Sequence, residues 1–406
     1  MAQSTVLISG ASVAGPVLAY WLHRFGFQPT VVERTAELRF GGGGHAVDLF
    51  GPAVQIIEWM GALKQVREDR TRTEIISYLR EGHRPVDAPA ELMSEGVSER
   101  HIEIMRGDLT KIIYDTGRED LEYLFGNSIA TLRETGQAIE VTFQHGPPRT
   151  FDLVVGADGL HSITRTLTFG DENQFLHFLG GYFASFTAPN YLGLQERMLG
   201  FADVGRTAAI YPVHETDQAR ALLLWRTRTP HDYDRHDLAA QRRLIHYLYG
   251  DMDWEMPRLL TGLDKADDLY LDSISTIVMD TWTRGRVTLV GDAGYSPGAA
   301  VGGGTSLAVV GAYVLASELA AAGGDHLRGL EAYERALRPA VRHSQTIGPT
   351  VLRTLIPSSR LQVWATAQAV KALPRLPGPA RRLLTSFGGG PAAMLNVVNL
   401  REPNAA

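Results

Sequence analysis

The first apolar run of the chain, Val6-Leu7-Ile8, is too short for a helix and is stopped at once by Ser9 and Gly10. That pattern predicts a buried strand ending in a tight turn. Apolar positions then recur at helical spacing from about Pro16 to Phe25, where Gly26 closes the helix and Pro29 to Glu33 read as a second strand. Pro16 suits a first helical turn, since its missing N–H would have no partner there. The opening of the chain is therefore a β-α-β unit.

Farther along, Ala138 to Gln144 and Thr150 to Val155 read as paired strands joined by the turn His145-Gly146-Pro147-Pro148. Thr207 to Val213 and Arg220 to Arg228 form a second hairpin. Arg286 to Val290 is another short buried strand, which runs into Gly291-Asp292 and then a helix of small residues from about Thr305 to Ala322. The window Ala299 to Ser317 carries no charge, but Gly302 to Gly304, Thr305, Ser306 and Gly311 interrupt it and Glu318 follows directly. A buried helix is predicted there, and no membrane insertion. No internal repeat is found. Elements of α/β character thus bracket a β-rich insertion at about 169–271.

Composition narrows the chemistry. The 406 residues are 44% apolar, enough for a sizeable core, and the net charge of −6 argues against general nucleic-acid binding. With no cysteine, thiolate nucleophiles, disulfides and thiolate-bound metals are excluded. No His pair at metal-binding spacing and no Gly-x-Ser-x-Gly elbow occurs, so no metal is expected. The N-terminus lacks a signal-peptide pattern, and a cytoplasmic location is expected. From Arg335 to Arg401 there are ten Lys or Arg and no Asp or Glu, against 29 basic and 44 acidic residues in 1–334. This basic tail either packs back on the acidic body or docks an acidic carrier protein, such as an acyl carrier protein, or a phosphate-bearing cosubstrate.

Glycine is the compositional feature that changes the picture: 42 residues, clustered at Gly10 and Gly15, Gly41 to Gly44, Gly302 to Gly304 and Gly388 to Gly390. Gly10-Ala11-Ser12-Val13-Ala14-Gly15 is a variant of the dinucleotide fingerprint, with Ser12 in the second glycine's place. Glu33 stands about twenty residues on, where a carboxylate can accept from ribose hydroxyls. A second motif runs from Val154 through Gly156-Ala157-Asp158-Gly159 to Ser162 and Arg165. A third runs from Leu289 through Gly291-Asp292-Ala293-Gly294-Tyr295 to Gly302-Gly303-Gly304-Thr305. Each brings an Asp beside glycine to the C-terminal edge of a buried strand, where open α/β sheets bind ligands.

In this order and spacing the motifs resemble those of the class A, single-component FAD-dependent aromatic monooxygenases, which have the para-hydroxybenzoate hydroxylase fold. Among these the tetracycline-inactivating and actinobacterial polyketide monooxygenases are nearest in type, and the likeness covers about residues 5–340. The resemblance implies an α/β fold: a Rossmann-like FAD-binding domain of the GR2 type, an inserted β-sheet substrate domain and a C-terminal helical segment. The corresponding division is 1–72, 100–168 and 272–340 for FAD, 73–99 and 169–271 for substrate, and 341–406 for the basic helical segment.

The resemblance also assigns residues. Gly10, Ser12, Val13, Ala14 and Gly15 would surround the FAD pyrophosphate, with Glu33 on the adenosine ribose and Arg34 beside it. Arg39 would meet a nicotinamide phosphate, Gly44 and Asp48 the isoalloxazine, and Arg106 the flavin's linker. Asp158 and Gly159 would serve FAD and the nicotinamide, and Asp292 the ribityl chain. Gly302, Gly303, Gly304 and Thr305 would open a helix whose N–H groups face the flavin's pyrimidine edge. Tyr182, Phe183, Tyr211 and Trp225 are candidate substrate walls, each also readable as core packing, and His45 is a candidate acid or base.

The implied reaction consumes NADPH or NADH and O2 and oxygenates an aromatic or polyketide-like molecule through a flavin C4a-hydroperoxide, in a monomer or homodimer. One departure stands out. Gly294-Tyr295 replaces the family's Ala-His, and Ala299 stands where its proline belongs, with Pro297 two residues early. This motivates an alternative, a redox-silent FAD-containing cyclase or isomerase of natural-product biosynthesis. A flavin halogenase is disfavoured because no Trp-x-Trp-x-Ile segment occurs.

Overall fold

The structure is a computed structural model that describes residues 4–38, 44–94, 100–299, 302–385 and 395–403. Among these residues the principal sheet has the strand order Thr283–Arg284, Val287–Leu289, Leu153–Gly156, Thr5–Ser9, Gln28–Glu33, Glu122–Phe125. All neighbours pair in parallel except the short edge strand Thr283–Arg284. Its central strands are buried along most of their length because both faces are covered, as parallel sheets require. Val6 and Ile8 face the helices Ala14–Arg24 and Gly304–Ala321, while Leu7 faces a small antiparallel sheet built from Ile129–Glu134, Ile139–Phe143 and Arg149–Phe151.

One expected strand divides. Arg149–Phe151 pairs with Ile139–Phe143, but Leu153–Gly156 leaves to join the parallel sheet. Asp152 makes the break, its carboxylate accepting from the Thr5 N–H at 2.8 Å and the Thr5 hydroxyl at 3.0 Å. A continuous β pattern therefore hides a change of sheet.

A second large sheet roofs the first. Its order is Tyr270–Ile277, Leu176–Pro189, Gln218–Arg226, Arg206–Pro212, Arg197–Asp203, Ile75–Leu79, Val86–Pro89. The pair Arg197–Asp203 and Ile75–Leu79 is parallel, and the other neighbours are antiparallel. Two regions distant in sequence thus meet in one sheet. Tyr270–Ile277 belongs to it along its whole length, beyond the expected boundary at 271. The helix His326–Leu355 likewise crosses the expected boundary at 340 without interruption.

Alternation gives this roof two unlike faces. Tyr182, Ala184, Phe186, Leu223 and Trp225 pack against the helices Leu238–Tyr249 and Met256–Lys265. Phe183, Leu224 and Ile274 point the other way and meet Leu352, Ile356 and Ala299. On that second face Arg220 is fully buried, donating to the Thr187 hydroxyl at 2.5 Å, to the Ser185 hydroxyl at 2.8 Å and to the Asp268 carboxylate.

Among the described residues one helix, Gly304–Ala321, is long and apolar enough to cross a membrane. Here Ser306 to Ala316 are all buried inside the protein. Part of the basic tail packs back on this helix: Arg401 pairs with Glu318 at 3.2 Å, and its carbonyl accepts from the Tyr313 hydroxyl at 2.5 Å.

Removing one partner of a buried ion pair strands the other charge. Asp268 is partly exposed, so Asp268→Asn should destabilise the protein by about 2 kcal/mol, somewhat below the fully buried range. Urea unfolding of the variant against the parent measures this.

Candidate functional site

Three loops converge where the parallel strands end. Gly10 sits at φ +108, a conformation that favours glycine. A Cβ there would stand 2.5 Å from the Ala157 carbonyl oxygen, and one on Gly15 would stand 1.9 Å from the Gly10 carbonyl oxygen. Backbone packed on backbone thus requires both glycines. The helix Ala14–Arg24 starts after Val13 with no side-chain cap, so its first-turn N–H groups, beside half-buried Ser12, are placed to receive a phosphate.

Glu33 ends the adjacent strand. One carboxylate oxygen accepts from the Ala11 N–H at 2.9 Å, the other from the Thr35 N–H and hydroxyl at 3.0 and 2.9 Å. Arg34 next to it is exposed. Arg39 and Gly41 to Gly43 lie outside the described residues, as do Gly388 to Gly390.

Asp158 stands at the second loop. Its carboxylate is turned to the protein, accepting from the Ser9 hydroxyl (3.3 Å), the Ser162 hydroxyl (2.5 Å) and the Thr164 N–H and hydroxyl (both 2.9 Å). It seats the start of the helix Ile163–Phe169, the usual work of an acid at a helix N-terminus. Gly159 follows at φ +79 with open space where a Cβ would be.

In the third loop Gly291, at φ +66, lies where a Cβ would be 3.5 Å from Ala14 and 3.3 Å from Ala308, so it packs the first and third motifs together. Gly302 and Gly303, at φ +83 and +75, turn the chain into Gly304–Ala321, with Thr305 half-buried in its first turn. A Cβ on Gly304 would lie 3.9 Å from Asp292 Oδ1, which puts this helix start beside the Asp292 carboxylate. The Ser306 hydroxyl donates to the Asp48 carbonyl at 2.8 Å and accepts from the Phe50 N–H at 2.9 Å, fastening the strand Ala46–Leu49 to the same helix. The Asp48 carboxylate itself is engaged by His101 at 2.7 Å.

Arg106, Asp292 and Tyr270 combine two properties. Each is open to solvent, yet Asp292 and Tyr270 lie so deep that burial holds their pKa values above the ordinary range, against the Arg106 guanidinium. Solvent deep inside the fold means a cleft. The Arg106 N–H donates to the His45 carbonyl at 3.1 Å, and Gly44 lies against the Arg106 side chain. Burial, then the charges of Arg106 and Arg220, push the His45 imidazole down to about 3. It is therefore neutral and a weak base near pH 7. Its ring stands edge-on to Phe183 at 4.8 Å.

Of the expected substrate walls, Tyr211 is on the cleft side, its hydroxyl accepting from the Ala46 N–H at 2.9 Å. Tyr182 and Trp225 are not. They stack on each other at 5.3 Å on the opposite face of the roof, facing the helices, because their strand positions have the parity opposite to Phe183 and Leu224. Tyr270 was not among the sequence candidates, because its face follows from the register with Ser185 on a strand far away in the chain and not from local alternation.

Tyr295, the departure from the familiar motif, is wholly buried and points away from the cleft. Its hydroxyl pairs with that of Tyr333 at 2.9 Å, which donates in turn to the Leu289 carbonyl at 2.9 Å. Gly311 makes room for it, since a Cβ there would fall 2.1 Å from the Tyr295 hydroxyl oxygen. Tyr295 and Gly311 form one packing unit beneath the Asp292 turn.

A first loop with no room for a side chain at Gly10 or Gly15, an uncapped helix start and an open, deep cleft fit an extended dinucleotide such as FAD, and together define a flavin-binding α/β fold. The chain belongs to the FAD binding domain family, whose match covers residues 3–345. It is similar to a flavin-dependent monooxygenase of Legionella longbeachae, 36% identical over 359 residues, 86% of this chain and 89% of that one. An uncharacterised Mycobacterium tuberculosis protein is 40% identical over 345 residues, 84% of this chain and 92% of that one. The crystal structure of tetracycline destructase Tet(55) superposes with a TM-score of 0.83 at 32% identity, covering 99% of both chains. The protein is a flavoprotein monooxygenase of class A type.

Three outcomes follow from this geometry. Gly10→Ala should both destabilise the protein and lower its FAD content, read from the melting temperature and from the ratio of flavin to protein absorbance. Gly311→Ala should cost about 1–3 kcal/mol through overpacking, and Tyr295→Phe in the same chain should recover part of it, read as melting temperatures. The third concerns pH. His161 lies between Glu172 (2.8 Å) and Asp272 (3.0 Å). Burial opposes its charge, but these two hydrogen bonds outweigh it and push the pKa up to about 9. A raised folded pKa stabilises fully below the unfolded value near 6.5 and fades as pH climbs to about 9. The melting-temperature gap between the parent and His161→Gln should therefore be widest near pH 6 and shrink toward pH 9.5.

Proposed function

We propose that the cleft binds FAD along its three loops, accepts electrons from NADPH or NADH, and uses O2 to oxygenate an aromatic or polyketide-like small molecule beneath the roof sheet. The observation that carries this reading is the grouping of Arg106, Asp292 and Tyr270 as solvent-open side chains deep between the glycine loops and the roof. Bound FAD supplies the redox chemistry, with two electrons from the nicotinamide, one atom of O2 entering the substrate and the other leaving as water.

The chain's own residues supply position and electrostatics. The N–H groups at Ala14 to Gly15 and the backbone around Ser12 hold the pyrophosphate, while Glu33 accepts from the ribose with Arg34 at its margin. Asp292 accepts from the ribityl hydroxyls. Arg106 and the helix start at Gly302 to Thr305 would present positive potential to the flavin ring. Phe183, Leu224 and Ile274 keep water from the reacting face. Tyr211 fixes the His45–Ala46 segment from above, and His45 serves as a neutral wall, since an imidazole near pKa 3 has little driving force to take a proton.

The cyclase alternative rested on the altered motif around Tyr295. The Tyr295 side chain packs beneath the loop, outside the cleft, which favours the redox reading. The name of the structural relative makes a tetracycline a sensible first probe.

The protein should purify yellow, oxidise NADPH faster when its substrate is present, and give a product heavier by one labelled oxygen atom under labelled O2. A protein that never takes up FAD, or turnover continuing without O2 and reductant, would contradict the proposal.

A further inference from the structure

Building on the monooxygenase reading, we propose that Tyr270 determines specificity as an acceptor that reads a hydroxyl group on the substrate, with Asp272 and His161 as its positioning residues. The register of the roof sets Tyr270 and Asp272 on one face, and His161 reaches Asp272 from the turn before the helix Ile163–Phe169. Tyr270 lies opposite Ser185 and Asp272 opposite Phe183, so both share the face of Phe183 and Leu224 and not that of Tyr182 and Trp225. The Tyr270 ring is 38% exposed and stands 6.2 Å from the Phe183 ring, within reach of the charges of Arg106 and Asp292.

The chemistry of the contact follows from where the Tyr270 hydrogen goes. Its hydroxyl donates to Asp272 Oδ2 at 3.2 Å. Burial, with Asp272 beside it, keeps the phenol protonated. With its hydrogen committed, the oxygen offers the cleft only lone pairs. A substrate hydroxyl finds a partner there, whereas an ether or carbonyl at the same point does not.

That commitment is enforced from behind. Asp272 Oδ1 accepts from the Ser273 N–H at 2.7 Å, and Oδ2 also meets His161 Nε2 at 3.0 Å. His161 Nδ1 is held by Glu172 at 2.8 Å. Glu172 accepts from Arg165 at 2.7 Å, and Arg165 donates to the Ala293 carbonyl at 2.8 Å, one residue from Asp292. One line of contacts therefore runs from the loop that carries Asp292 to Tyr270. It fixes the roof's polar group relative to the floor of the cleft before any ligand arrives. The charged groups facing His161 are Glu172 and Asp272, with Arg165 and Arg235 behind Glu172.

The test uses the FAD-loaded protein and two probes, 1-naphthalenemethanol and its methyl ether, with dissociation constants read from perturbation of the flavin spectrum. The parent should bind the alcohol about fivefold more tightly than the ether, the worth of one neutral hydrogen bond. Tyr270→Phe should bring that ratio to about one with the ether's affinity retained. Asp272→Asn, which replaces the accepting carboxylate, and His161→Gln, which removes the group that braces it, should lower the ratio. In the parent the ratio should also decline as pH rises through about 9, where His161 loses its proton, and it should be flat in His161→Gln. A parent ratio near one, a ratio unchanged in Tyr270→Phe, or failure of both probes to perturb a bound flavin would overturn the assignment. Failure to load FAD would instead count against the monooxygenase reading.

Discussion

The approach of two backbones at Gly10 and Ala157 governs the rest of the molecule. With 2.5 Å between a would-be Cβ and the Ala157 carbonyl oxygen, the loop after the first strand lies directly on the loop after its parallel neighbour. Asp158 then gathers donors from Ser9, Ser162 and Thr164, which locks strand, loop and following helix into one junction. Gly291 brings the third loop against Ala14 from the far side. The junction of the three loops is thereby built from main chain first, with the Glu33 and Asp292 carboxylates beside it.

The roof sheet shows how one rule separates core from site. Successive side chains point to opposite faces, so adjacent aromatics such as Tyr182 and Phe183 have unrelated roles. The first stacks with Trp225 under two helices, while the second stands beside His45 above the cleft. The same parity puts Arg220, Tyr211, Tyr270 and Asp272 on the face of Phe183. A sheet that is apolar on one side and carries charge, hydroxyl and ring on the other is a ceiling built for a partly polar ligand.

Much of this was legible in the chain. The β-α-β opening, the hairpin Arg206–Pro212 with Gln218–Arg226 and the small-residue helix are local patterns, and local patterns survive folding. The break at Asp152 was not legible, because its cause is a hydrogen bond to Thr5, 147 positions away. Asp158 was recognisable as a motif residue, but its inward turn depends on Ser9 and Thr164, which only the parallel pairing brings together. Tyr295 read as a defect in a catalytic motif, and Gly311, sixteen residues on, shows it to be a packing substitution. The union of Ile75–Leu79 with Arg197–Asp203 was implied only by resemblance, since parallel partners leave no local signature. The tail's positive charge proved partly structural, with Arg401 paired to Glu318.

The central claim is that FAD lies between the glycine loops and the Phe183 face of the roof. A crystal structure of the protein with FAD bound tests it most directly. The pyrophosphate should lie at the start of Ala14–Arg24, and the isoalloxazine near Arg106, Asp292 and the Gly302–Gly304 turn, with Tyr270 and Phe183 over the ring and Tyr182 and Trp225 behind the sheet. A flavin bound elsewhere, or one whose ring meets Tyr182 and Trp225, would contradict it.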